Sequence, residues 1–87
     1  IAANKVPGVR AALVFDEIAA GMCRAHNDAN VLCMSGHTTP AKIMNRIVEV
    51  WLSTLFEGGR HERRVQKITA IERGEDPGAL RLNADAA

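Results

Sequence analysis

The chain has 87 residues, of which 47% are hydrophobic, and carries a formal net charge of +1. That length holds one small domain, and the apolar share excludes a chain disordered for want of core residues. The small net charge argues against a whole-surface electrostatic partner such as bulk nucleic acid.

The opening Ile1-Ala2-Ala3-Asn4-Lys5 lacks the charged and apolar regions of a signal peptide, and it lacks an initiator Met. It reads as the last turn of a helix that starts further upstream. Val6-Pro7-Gly8 stops that turn, because Pro7 disfavours a helical Val6. Val9 to Phe15 is a short run compatible with a buried strand. Asp16 is an N-cap for a helix through about Arg24, on which Ile18, Met22 and Ala25 share one face. Asn27-Asp28-Ala29-Asn30 is a turn. Val31-Leu32-Cys33-Met34 is an unbroken apolar run, as in a parallel strand covered on both faces.

Ser35-Gly36-His37-Thr38 forms a loop, after which Thr39 caps a helix with Pro40 at its first position. Met44, Ile47, Val48, Trp51 and Leu55 follow helical spacing to roughly Phe56, and Gly58-Gly59 ends that helix. A last helix spans about Arg60 to Arg73 with Val65, Ile68 and Ile71 as its apolar stripe. The tail from Gly74 to Ala87, rich in Gly, Pro, Asn and Ala, is expected to be flexible.

Strand, helix, strand, helix, helix implies an α/β fold, with a parallel sheet and covering helices. Two strands are too few for a stable sheet, so further strands are expected from an upstream segment or from another chain. The aromatic residues are Phe15, Phe56 and Trp51, so the core is built from Ala, Val, Ile, Leu and Met. No run approaches the roughly 18 apolar residues of a membrane span. Cys23 and Cys33 form no CxxC pair and read as small buried hydrophobes of a reducing, cytoplasmic setting.

Three segments carry a family likeness. Ile1 to Ala12, then His26-Asn27-Asp28-Ala29-Asn30-Val31-Leu32, then Phe56-Glu57-Gly58-Gly59-Arg60-His61 through Arg64-Val65 to Ile68, occur in order and without obvious gaps. Together they resemble the C-terminal half of a type B ribose-5-phosphate isomerase, in the sugar-phosphate isomerase family that includes galactose-6-phosphate isomerase. The resemblance assigns residues 1–73 to that half-domain and implies a doubly wound, Rossmann-like parallel sheet. It also implies an obligate dimer or tetramer, and aldose–ketose isomerisation through an enediolate without metal or other cofactor.

Two departures from the family pattern stand out. The family's base, a cysteine or a glutamate, lies in a glycine-rich loop just upstream of the position of Ile1. The chain alone is therefore expected to be inactive. The loop after the second strand usually carries a phosphate-binding arginine, and here it has His37.

The candidate site residues admit more than one reading. His26 follows a helix end, where an imidazole titrates near neutrality or simply complements the helix dipole; the resemblance makes it the group that opens the sugar ring. Asn27 is either a self-bonded turn residue or, by resemblance, a ligand for a substrate hydroxyl. Arg60 and Arg64, four apart, lie on one helix face. Two like charges near a helix N-terminus repel each other and the dipole, and a bound sugar phosphate offsets both penalties; a solvated basic face is the alternative. His37 is either a phosphate ligand or plain loop.

Two other functions compete with the isomerase reading. One is a non-catalytic anion-binding or assembly subunit of a heteromeric isomerase. The other, a nucleic-acid module using residues 60–67, lacks the aromatics for base stacking. The expected partners are a phosphorylated sugar and either a second copy or the upstream half, with no membrane and no nucleic acid.

Overall fold

The computed structural model describes residues 1–79. After a 3₁₀ turn at Ala3–Lys5 come β1 (Ala11–Leu13), α1 (Glu17–Ala25), β2 (Val31–Cys33), α2 (Ala41–Ser53) and α3 (Arg60–Glu72). The strands pair in parallel, Ala11 with Val31, Ala12 with Leu32 and Leu13 with Cys33, which is the expected βαβ arrangement.

Both strands are shorter than the apolar runs that announce them, and at the amino end of β1 two asparagines take over part of the pairing. The Asn4 amide donates to Ala11 O at 3.0 Å, and its oxygen accepts from the Ala11 N–H at 2.7 Å. Asn4 thus occupies the side of β1 turned away from β2. Asn30 accepts from the Arg10 N–H at 2.8 Å and donates to Gly8 O at 2.8 Å. These side chains satisfy backbone groups that a longer ladder would otherwise have to pair.

α1 starts where expected. The Asp16 carboxylate accepts from the Ala19 N–H at 2.7 Å and so satisfies an orphan donor of the first turn. Its buried face differs from the expected one. Ala25 is buried, whereas Ile18 and Met22 are exposed. Small residues face α2 instead: Ala20 is fully buried, and a Cβ placed on Gly21 would meet Val50 Cγ1 at 3.5 Å. The core is Val14, Ala20 and Ile47, with Ala12, Ala19, Cys23, Leu32, Met34 and Val50 packed around it.

α2 departs from expectation at both ends. Pro40 itself is the N-cap, with extended backbone (φ −60°, ψ 145°), while the Thr39 N–H donates to Ser35 O within the preceding loop. The helix stops at Ser53 rather than Phe56. The Ser53 hydroxyl donates to Glu49 O at 2.8 Å and the Thr54 hydroxyl to Val50 O at 2.6 Å. These hydroxyls compete with backbone N–H groups for the carbonyls of the last turn. Leu55, expected on the apolar stripe, lies beyond the helix and is exposed. Gly58 and Gly59 therefore do not end α2; they turn the chain into α3.

α3 sits apart from the core. Its far end is tied back where the Gly8 N–H donates to Glu72 at 2.7 Å. A cleft of about 630 Å³ separates it from the sheet, with Val6, Pro7, Val9, Ile68 and Ile71 among its walls. Leu13, Phe15 and Ile18 also leave an exposed apolar face.

Within 74–79 the Ala79 N–H donates to Asp76 O at 3.2 Å. The rest of the tail expected to be flexible lies outside the described residues. No helix among the described residues is long and apolar enough to cross a membrane.

Candidate functional site

Three backbone features assemble the site. His26 is the C-cap of α1, and its N–H donates to Met22 O at 2.8 Å, so its side chain leaves from the exact point where the helix ends. The segment after α2 docks beside it, the Glu57 N–H donating to Ala25 O at 3.0 Å. Gly58 (φ 70°) and Gly59 (φ 57°, ψ −129°) then reverse the chain into α3 through conformations that a side chain disfavours. The N–H groups of His61 and Glu62 donate back to Gly58 O and Gly59 O, each at 3.1 Å. The first turn of α3 is thereby set against the end of α1.

His61 lands directly on His26. The two rings stack with centroids 4.1 Å apart and planes 7° from parallel. Glu57 faces both: one carboxylate oxygen lies 3.7 Å from His26 Nε2 and the other 3.7 Å from His61 Nε2. One ligand atom from each of these residues lies within 4.8 Å of the others. Burial, together with the His26 ring and the Arg60 and Arg64 charges, outweighs the opposing pull of Glu57 and holds the His61 imidazole below its ordinary proton affinity.

A pocket of about 240 Å³ opens at this point, lined by His26, Asn27, His61, Arg64, Val65 and Ile68. Three of the residues singled out in the sequence, His26, Asn27 and Arg64, therefore meet. The other two do not join them. Arg60, the first residue of α3, is exposed and lines neither this pocket nor the larger cleft. The shared face expected for Arg60 and Arg64 thus delivers one guanidinium to the pocket. His37 follows the carboxyl end of β2, whereas His26 precedes its amino end. His37 is absent from the pocket lining.

Sequence reasoning gave no role to His61 or Glu57, which entered only as part of the third family-like segment. Their i, i+4 spacing across a Gly-Gly pair was the available signal. Cys23 and Cys33 are both free. Burial pushes the Cys23 thiol up, away from the range of a reactive thiolate.

A parallel α/β unit whose helix ends close a small basic pocket defines a class of Rossmann-like chains, and comparison with known proteins narrows it. The chain belongs to the Ribose/Galactose Isomerase family, which matches residues 1–68. It is 44% identical to ribose-5-phosphate isomerase B of Escherichia coli over 72 residues, covering 83% of this chain and 48% of that protein. The type B ribose 5-phosphate isomerase of Trypanosoma cruzi superposes with a TM-score of 0.80 at 49% identity, over 82% of this chain and 47% of that one. The ribose-5-phosphate isomerase B of Mycoplasma genitalium, solved with bound ribulose-5-phosphate, gives 0.79 at 47% identity, over 80% and 46%. The chain therefore spans about half the length of the relatives it matches. Their Rossmann-like fold accords with the doubly wound α/β architecture expected from sequence.

Proposed function

We propose that this chain is part of a sugar-phosphate isomerase interconverting an aldose phosphate, such as ribose 5-phosphate, with its ketose. The observation that carries the reading is the convergence of His26, Asn27 and Arg64 on one pocket, in a chain whose relatives bear that activity in their names. Arg64 holds the phosphate through charge-assisted hydrogen bonds worth about 1.5–3 kcal/mol each. His26 delivers a proton to the ring oxygen as the ring opens. Asn27, which has both a donor and an acceptor, holds a substrate hydroxyl.

In the isomerisation itself, a base takes the proton from C2 of the open aldose. The electron pair moves into an enediolate, and a proton returned to C1 gives the ketose. No cysteine lines the pocket, and the Glu57 carboxylate beside it faces the two imidazoles. The reading therefore takes the base from the part of the relatives' length that this chain does not span, and the 87 residues alone do not turn over. The exposed Leu13, Phe15 and Ile18 give that part, or a second copy in a dimer or tetramer, an apolar face to cover. Two free cysteines accord with a reducing cytoplasm.

The test is steady-state kinetics of the full-length protein with ribose 5-phosphate. His26→Gln is expected to lower kcat by about 10²–10⁴-fold, the usual range for a general acid–base group. Arg64→Ala is expected to raise KM at least about tenfold, equivalent to about 1.4 kcal/mol of binding. Wild-type kinetics in both variants would reduce the likeness to one of fold. Isomerase activity that appears only on mixing with a second, different chain would favour the heteromeric-subunit reading.

A further inference from the structure

We propose that His26, Glu57 and His61 together form a binding site for a divalent transition-metal ion of borderline softness, Zn²⁺ foremost, and that occupancy inhibits the enzyme by engaging His26. The inhibitory half of this proposal rests on the ring-opening role given to His26 above; the binding half does not.

The donor set comes first. Two imidazoles and a carboxylate suit zinc and its first-row neighbours, and their ligand atoms lie within 4.8 Å of one another. The two imidazole–carboxylate separations, both 3.7 Å, are too long for hydrogen bonds. They run to different oxygens of the one carboxylate, and the edge of a tetrahedron is roughly 3.4 Å when metal–ligand bonds are about 2.0–2.2 Å, so small side-chain shifts bring one oxygen and both rings to ligand spacing. The three groups thus lie within reach of a single ion.

The remaining geometry determines how the ion enters. Parallel rings 4.1 Å apart cannot both point their lone pairs at one centre, so binding requires them to splay. His26 is the ring that moves, since it sits at a helix end and its side chain is 34% exposed, against 10% for His61. The 240 Å³ pocket leaves a fourth coordination position open to water. Arg64 lines that pocket and repels a dication, which makes binding weaker than at structural zinc sites.

The experiment is titration of the full-length protein with Zn²⁺ by calorimetry, and with Co²⁺ followed by its visible d–d bands. One ion per chain is expected, with tetrahedral Co²⁺ bands. Glu57→Gln and His61→Ala should each weaken binding at least tenfold, and His37→Ala should leave it unchanged. Glu57 is exposed, so its substitution separates ligand loss from misfolding should His61→Ala fold poorly. Absent binding, or binding that ignores Glu57→Gln and follows His37→Ala, overturns the site. Chelator-reversible inhibition by Zn²⁺ that Glu57→Gln relieves supports the whole proposal. Ligand-dependent binding in a protein with no isomerase activity upholds the site and overturns the function instead.

Discussion

The two sides of this molecule are held together by different means. On one side α1 and α2 close over Val14, Ala20 and Ile47, with small residues allowing tight approach. On the other, α3 meets the rest through a stacked histidine pair, a carboxylate facing both rings and a hydrogen bond at Glu72, with a 630 Å³ cleft alongside. The candidate pocket lies at the loosely held seam. The contrast shows where free energy and chemistry are placed: burial of apolar surface fixes the scaffold, while polar groups left at the seam remain available to a ligand.

The comparison is sharpest at two isoleucines. Ile47→Ala removes a fully buried side chain and should destabilise the protein by about 2–5 kcal/mol. Ile71→Ala, at a residue 63% exposed on α3, should stay within about 0.5 kcal/mol. Urea denaturation reads both, and equal losses would abolish the distinction between tight and loose sides.

Next in size is the turn that presents α3. Gly59→Ala meets no neighbouring atom but must hold φ 57°, a strain of about 1–3 kcal/mol. Gly36→Ala meets open space with no such φ and should fall within about 0.5 kcal/mol. If both behaved alike, the placement of His61 would not depend on the glycine pair.

The smallest effect is expected from pH. The folded His61 binds its proton less readily than the unfolded chain does, with an ordinary value of about 6.5. The unfolded state therefore takes up more protons as pH falls below that value, and stability drops there while staying flat above it. His61→Asn should remove this part of the slope. Denaturation midpoints compared across that range would show it, and an unchanged slope in the variant would take His61 out of the account.

Much of this fold was legible in the residues. Asp16 announced a helix start, Val31 to Met34 a parallel strand, and Pro7 and the Asn27 to Asn30 stretch the turns between elements; the strand itself is only half-buried. The misjudged places have local causes. Ser53 and Thr54 end α2 with their hydroxyls, a competition invisible to hydrophobic spacing. Ile18 and Met22 point outward because alanines, and not the largest apolar residues, form the contact with α2. Of the candidate residues, His26, Asn27 and Arg64 share a pocket, while Arg60 and His37 do not line it.

By itself the sequence determined the family, the order of elements and the residue types able to do acid–base and phosphate chemistry, because these follow from motif spacing and local backbone preference. Only the tertiary structure decided which of those residues meet. His26 and His61 lie 35 positions apart, and they stack because Ala25 O anchors the Glu57 segment and two glycines turn it. Proximity across such a separation is set by packing and chain reversal, and no periodicity along the chain encodes it.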